Sequence, residues 1–212
     1  MRSIITAALI ISGFLFPGST AIGQKKFAFS AMLAPFSGQT KTTTIVMIPS
    51  DDGSGTITSQ VWKSQSSPKG YWIGLNGRYS FSKKWSASTG LWFRESRLKT
   101  STSNSRSHNF SIPIMVNFQT SERKLSPYLS VGALWNFETT SHVKIPDLGT
   151  VVFKSGNNTS RISPLIGAGV IYHFAPHLSL IAQPTFSYAI PPSGVNSHAY
   201  QLGLNVQLVV KL

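Results

Sequence analysis

Cysteine is absent from this 212-residue sequence. No disulfide can secure the fold, so an exported chain of this kind needs another device, and a closed sheet is one. Acids are scarce as well. Six Asp and Glu stand against nineteen Lys and Arg, giving a net charge of +13 although charged residues make up only 12%. The chain is basic because it is poor in acids. That excess fits contact with an anionic surface such as phosphorylated lipid or polysaccharide. Long apolar runs are lacking apart from Ile4 to Phe16, which follows Arg2. It is too short for a spanning helix, which needs about 18 or more apolar residues. With Ala21-Ile22-Gly23 behind it, the run reads as a secretory signal peptide, 1–23, cleaved before Gln24. The remainder, 24–212, is one domain's worth of chain. Export argues against nucleic acid as a partner. A periodic helix and an internal repeat are also missing.

What the sequence has is alternation. From Tyr200 to Leu212 every even position is apolar, while Gln201, Gly203, Asn205, Gln207, Val209 and Lys211 fall on odd ones. A strand turns successive side chains to opposite faces, so this segment has one greasy and one mostly wet face. It is long against the usual soluble strand of about 5–6 residues, and it suits the tilted strand of about 9–11 residues that crosses a bilayer. Seven more segments share the pattern: 27–36, 71–81, 85–95, 108–119, 127–139, 161–174 and 178–190. Eight is an even number, as single-chain outer-membrane barrels require. The apolar faces carry residues such as Leu33, Ile73, Leu91, Ile114, Val131, Ile166 and Leu204. The opposite faces carry Asn76, Arg78, Ser88, Asn117, Ser130, Gln183 and Asn205, joined by glycines. In a soluble barrel the apolar face points inward. In a membrane barrel it meets lipid, and the small polar set fills the interior. Export, strand length and that polar set favour the membrane arrangement. The expectation is an all-β, eight-stranded antiparallel up-and-down transmembrane β-barrel.

Connections alternate in length. Those at 82–84, 120–126 and 175–177 are short, whereas 37–70, 96–107, 140–160 and 191–199 are long. Short turns on the periplasmic side and long loops outside is the outer-membrane pattern, with both termini periplasmic. Within the long loops, Thr42–Ile48 with Thr56–Trp62, and His142–Lys154 around Pro146, read as hairpins continuing above the membrane. Aromatics near strand ends predict two girdles. Phe27, Phe81, Trp85 and Tyr128 would sit at the periplasmic rim; Phe36, Tyr71, Trp72, Trp92 and Phe93 would sit at the outer rim. Pro113, Pro164 and Pro184 lie inside strands and predict bulges or edges.

Three segments carry a family resemblance. Phe110-Ser-Ile-Pro-Ile-Met-Val-Asn-Phe118, Ser126-Pro-Tyr-Leu-Ser-Val-Gly-Ala133 and Pro164-Leu-Ile-Gly-Ala-Gly-Val-Ile-Tyr172 resemble wall strands of small eight-stranded outer-membrane barrels of the PorT-like type. The resemblance implies a bacterial outer-membrane location and no known chemistry. Gln201-x-Gly203-x-x-Val206-x-Leu208 resembles the signal read by the barrel-insertion machinery, which is thereby implied as a partner during assembly. Leu212 stands where the commonest pattern ends in Phe. His177-Leu-Ser179 resembles the His-x-Ser of a lipid A deacylase, but no acid follows Asp147, so a triad is incomplete.

The candidate residues are therefore charges. Arg78, Arg94 and Glu138 fall on the polar face and are expected to make interior polar contacts, Arg94 with Glu138 near the outer end. Arg78 lies deeper and would need Asn76, Asn117, Gln183, Asn205 or water, because an unpaired buried charge is costly. Lys63, Lys69, Arg97, Lys99, Arg106, Lys144 and Lys154 lie in the outer loops and rim as candidate contacts to lipopolysaccharide phosphates, or as solvated loop charge. No catalytic residue, metal site or cofactor is assigned. The function expected is a non-enzymatic scaffold presenting loops 37–70 and 140–160 for binding or adhesion. The alternatives are an integral lipid-modifying enzyme and a soluble lipocalin-like carrier, the latter requiring the apolar face to line a dry cavity.

Overall fold

Alternation governs the structure from its first strand. In the computed structural model, β1 (Phe27–Pro49) buries Ala28, Ser30, Met32, Ala34 and Phe36 and turns Phe27, Phe29, Ala31 and Leu33 outward. The residues described are 26–49, 57–99, 104–145, 149–153, 161–191 and 196–212; along 138–145 and 149–153 it is the backbone path that is described. The predicted signal peptide lies outside them. After β1 come β2 (Ile57–Ser66), β3 (Lys69–Ser80), β4 (Trp85–Lys99), β5 (Asn104–Gln119) and β6 (Leu125–Ile145). Then follow β7 (Gly149–Phe153), β8 (Arg161–Ala175), β9 (Leu178–Ala189) and β10 (Asn196–Lys211).

Each strand pairs antiparallel with its neighbours in the order β10-β9-β8-β6-β5-β4-β3-β1, and β1 closes on β10 from Ala28↔Lys211 to Thr43↔Asn196. The result is a closed eight-stranded barrel. β2 and β7 stand outside that ring. β2 pairs with the far half of β1, from Thr40↔Ser66 to Pro49↔Ile57, and β7 with the end of β6, from Ser141↔Phe153 to Ile145↔Gly149. Two hairpins thus continue beyond one rim, where the sequence predicts them. The turns at 81–84, 120–124 and 176–177 lie at the opposite end.

Large apolar side chains cover the outer wall. Leu33, Leu75, Leu91, Ile114, Val131, Ile166 and Leu202 are each about half exposed or more, while Asn76, Asn117, Gln183, Asn205 and Gln207 are buried inside. A soluble carrier requires the reverse, so that alternative is overturned: the greasy face has no interior to line. In water this wall would be far larger than the apolar patches soluble proteins tolerate. Its natural solvent is hydrocarbon.

The interior is layered. Nearest the short turns, Ala28, Tyr128, Ile171, Ile181 and Val209 pack together. Above them lies a polar layer. Asn76 Nδ2 donates to Ser30 Oγ at 3.3 Å, Asn117 Nδ2 to Ser88 Oγ at 2.9 Å, and Ser130 Oγ to Asn117 Oδ1 at 2.9 Å. Such bonding is what lets most buried polar groups persist, although Gln183 Nε2 and Asn205 Oδ1 have no hydrogen-bond partner among the described residues. A second apolar layer follows, built from Met32, Ala34, Phe36, Trp72, Trp92, Met115, Leu134 and Leu165. Toward the hairpin rim, Ser111 Oγ donates to Asn136 Oδ1 at 2.7 Å and Asn136 Nδ2 to Ser163 Oγ at 2.9 Å.

This layering corrects the girdle assignment. Phe36, Trp72 and Trp92 are interior residues, with ring centroids 6.1 Å apart for Phe36–Trp72 and 5.8 Å for Trp72–Trp92. Tyr128 is interior too, 1% exposed. Each lies near the end of a strand as bounded from sequence but has inward parity, and parity decides. Phe27, Trp85, Phe110 and Trp135 do lie on the outer wall. The prolines are not bulged: Pro113↔Leu134, Pro164↔Ala133 and Pro184↔Leu204 are paired on one side, the pairing on the other side of Pro113 and Pro184 is interrupted without a change of register, and the register shifts fall at His108/Asn109 and His173/Ala175.

Gly74 shows how tightly the second apolar layer is set. A Cβ there would lie 2.4 Å from Trp92 Cδ1 and 2.8 Å from the Leu91 carbonyl oxygen, whereas a Cβ on Gly77 would meet nothing within 4 Å. Gly74→Ala is expected to destabilise the barrel by about 1–3 kcal/mol through displacement of the indole. Gly77→Ala should leave it unchanged. The midpoint of urea unfolding in detergent, followed by heat-shifted gel mobility, distinguishes them.

Candidate functional site

Three adjacent strands place their charges in rows on the outer wall near the hairpin rim. The register pairs Lys69 with Arg97 and Arg97 with Arg106, giving a row of three cations across β3, β4 and β5. One row lower, Tyr71 pairs with Glu95 and Glu95 with His108. Lower again, Ile73, Phe93 and Phe110 align. That last row is continuous with the apolar wall, so the charges begin where the greasy band ends.

Glu95 organises the site. Its side chain has outward parity, with Leu91 and Phe93, yet it is only 3% exposed. Arg97 Nε donates to Oε1 at 2.9 Å, and Arg106 Nη2 donates to Oε2 at 2.7 Å. The Tyr71 hydroxyl adds a bond to Oε2 at 2.9 Å, and His108 Nε2 lies 4.0 Å from the same oxygen. Phe93 stacks beside the His108 ring at 5.7 Å. A carboxylate beside hydrocarbon is tolerated because two guanidinium groups neutralise and cover it. Both arginines keep more than half of their side-chain surface exposed. With Lys69 they leave two positive charges in excess over Glu95, facing away from the wall. The spare N–H groups can donate to a planar or tetrahedral oxyanion.

Sequence reasoning singled out Lys69, Arg97 and Arg106 but missed Glu95, Tyr71 and His108. The local pattern Glu95-x-Arg97 puts both side chains on one face and was the available signal. The rest depends on register between strands, which no local pattern carries. Lys63 lies on β2 opposite Thr43, exposed, in the hairpin above the row. Lys99 and Lys144 both face Asn104 in backbone register, their side chains lying outside the described residues, as does the whole of Lys154.

Arg94 faces inward above the aromatic layer. Its Cζ lies 4.9 Å from the Phe36 ring centroid and 5.4 Å from that of Trp72. With the Gln201 amide oxygen turned toward it, Nη1 and Nη2 donate at 2.9 and 3.0 Å. Arg94 pairs with Asn109, and Asn109 with Glu138, so the three share one row; the Glu138 side chain lies outside the described residues. Arg78 lies in the lowest interior layer. Its Nη2 donates to the Tyr128 hydroxyl at 2.5 Å, and its Cζ sits 5.2 Å from that ring. The amides proposed from sequence are not its partners; a phenol assigned to the rim is.

Filling of the interior bears on transport. A cavity of about 200 Å³ opens beside Arg94 and Gln201, and another of about 310 Å³ at the short-turn end. Between them, a void of about 20 Å³ sits against Phe36, Trp72 and Trp92. That is room for roughly one water. The deacylase-like serine is also accounted for: His173 Nδ1 and Ser179 Oγ are 2.7 Å apart, and Ser179 has no exposed surface.

Comparison with known proteins agrees with this geometry. A family model described as "Outer membrane protein beta-barrel domain" matches residues 28–207. No curated protein matches the chain. Among solved structures, Neisserial surface protein A (NspA) is 16% identical with a TM-score of 0.50, covering 88% of this chain and 97% of its own. Ail of Yersinia pestis is 16% identical with a TM-score of 0.39, covering 85% and 98%. The outer membrane protease OmpT of Escherichia coli is 8% identical with a TM-score of 0.47, covering 92% and 99%. At these identities the likeness concerns fold.

Glu95→Gln removes the charge that holds Arg97 and Arg106 together. The temperature of the heat-induced gel shift is expected to fall by roughly 2–4 °C. The deficit should shrink at high salt, because the repulsion left between the two arginines is screened.

Proposed function

The chain belongs to the outer-membrane protein β-barrel family, and from that premise we propose that it is a non-enzymatic scaffold of the bacterial outer membrane whose hairpins are presented outward for binding or adhesion. The β1–β2 hairpin carries this reading. Ile45 stands directly opposite Val61, and both, with Met47 and Trp62, are more than half exposed. Ile45 is eight residues beyond Ser37, which is level with the Lys69–Arg97 row. That distance is about 26 Å along the strand. Large apolar side chains held that far from the wall are the composition of a contact surface. The narrower likeness to the PorT-like type fits the same reading.

Short turns at one end and hairpins at the other support periplasmic termini. The cation row then lies at the outer leaflet, where lipopolysaccharide phosphates are its natural partners. The C-terminal strand pattern supports recognition by the insertion machinery during assembly.

The lack of native cysteine makes topology testable by labelling. A cysteine at Ser59 in the hairpin should react with a large, impermeant maleimide on intact cells, and one at Arg123 in a short turn only after the outer membrane is breached. The opposite pattern inverts the barrel. A cysteine at Val61 should be protected on cells and reactive in purified protein if the hairpin engages a surface partner; equal reactivity removes the binding role. Lys69→Gln, which leaves the Glu95 contacts intact, should weaken lipopolysaccharide retention about fivefold, the effect expected of one lysine near an anionic surface. Lipid phosphate per mole of purified protein measures it.

A further inference from the structure

The cavity at the short-turn end has a charge problem that the barrel does not solve. Its volume is about 310 Å³, and Lys26, Arg78, Lys83, Lys84 and Lys211 line it against the single carboxylate of Glu122. Four positive charges are in excess. Arg78 forms the floor, 9% exposed. An arginine does not discharge by losing its proton, and a buried cation without a counter-charge is costly. Among the described residues no carboxylate comes within ion-pair distance of it; the ion pairs there converge on Glu95 at the other end. What Arg78 has is a neutral phenol. The Tyr128 hydroxyl oxygen accepts a hydrogen bond from Nη2, and its ring lies under the guanidinium. That contact fixes the orientation of the fork without cancelling its charge. Glu122 belongs to the 120–124 turn at the mouth.

We propose that this vestibule binds a phosphate-bearing anion, with Arg78 as the buried anchor and Lys84 and Lys211 closing over the ligand from the mouth. Phosphate suits the site better than a carboxylate does. It offers several oxygens to a guanidinium fork and to separate ammonium groups at once. The lip is continuous with the outer wall, since Phe81 and Trp85 line the cavity and are also about half exposed. A phospholipid headgroup can therefore reach the vestibule while its acyl chains stay on the wall. A soluble phosphate can enter through the mouth. The periplasmic address of the vestibule rests on the topology proposed above; its binding chemistry does not.

The test uses the purified full barrel in a non-ionic detergent, so it is blind to which way the barrel faces in cells. Native mass spectrometry with phosphatidylglycerol against phosphatidylcholine reports the lipid source, and calorimetry with inorganic phosphate reports the soluble one. Wild type is expected to bind one of these probes in a salt-sensitive manner. Arg78→Gln should weaken that binding roughly tenfold, as expected for loss of a charge-assisted contact. Arg123→Gln, outside the cavity lining, should not change it. Phosphatidylglycerol preferred over phosphatidylcholine identifies a lipid; phosphate binding without that preference identifies a soluble anion. If Arg78→Gln fails to give a heat-shifting barrel, the Lys84→Gln, Lys211→Gln double variant, which leaves the Tyr128 bond alone, carries the test. Binding equal to wild type in the folded variants, or no binding of either probe, overturns the proposal.

Discussion

Closure of the sheet is the constraint on which everything else depends. The β1–β10 ladder runs from Ala28↔Lys211 to Thr43↔Asn196 and leaves the ring without an edge. Once it forms, the parity of a residue becomes a choice between lipid and interior, and a slip of one residue would exchange the two throughout a strand. Closure also explains how an exported chain dispenses with cysteine. Backbone groups are satisfied by neighbouring strands all the way round, which is what a hydrocarbon solvent demands. Side chains then have to fill a narrow interior. They do so in alternating polar and apolar layers, with amides and hydroxyls bonded to one another and with aromatic rings set against glycine.

Scarcity of acids shapes how the barrel treats its cations. Four arginines receive three different treatments. Arg97 and Arg106 share one carboxylate on the outside, where Glu95 is pulled beneath them. Arg94 lies over two rings and beside an amide. Arg78 has a phenol. The first neutralises charge; the phenol beside Arg78 orients it through dipole and quadrupole, which are weaker and directional. A composition with 19 basic and 6 acidic residues cannot pair every cation internally. Among the described residues, Lys69, Arg97 and Arg106 gather at one rim and Lys26, Lys83, Lys84 and Lys211 at the other.

The sequence was most legible where the physics is local. Period-two alternation marks all eight wall strands, and the Pro/Gly-rich tip between Thr42–Ile48 and Thr56–Trp62 marks a hairpin, because both signals sit within a few residues of each other. Legibility failed where the answer depends on a distant strand. Phe36, Trp72 and Trp92 were grouped with the outer girdle by nearness to strand ends, although Trp72 and Trp92 alternate in step with Asn76 and Ser88. Their parity was readable; that the interior would want a bulky layer at that height was not, since the space is vacated by Gly74 on the neighbouring strand. Glu95 was passed over as the end of a strand because Tyr71 and Arg106 reach it only through register. The prolines misled in the opposite direction. A missing donor at Pro113, Pro164 or Pro184 suggests a bulge, yet the register runs on unshifted past each, and the bulges fall beside histidines instead.

Where the barrel is filled decides where it can act. Conduction along the axis would have to pass the Trp72–Trp92 pair, which leaves space for about one water, and the Arg78–Tyr128 contact below it. Each is locked by its surroundings: Trp92 Nε1 donates to Asn76 Oδ1 at 2.6 Å, tying the aromatic layer to the polar one, and Tyr128 packs with Ile171, Ile181 and Val209. Opening a path would break both a buried hydrogen bond and a packed cluster, and an eight-stranded wall has no spare circumference into which those side chains could withdraw. The groups left accessible are therefore those at the surfaces rather than along the axis. The hairpins offer apolar contact beyond one rim, the Glu95-centred row offers cations on the wall below them, and the vestibule offers cations at the far mouth. A barrel filled in this way keeps its accessible polar chemistry at its ends.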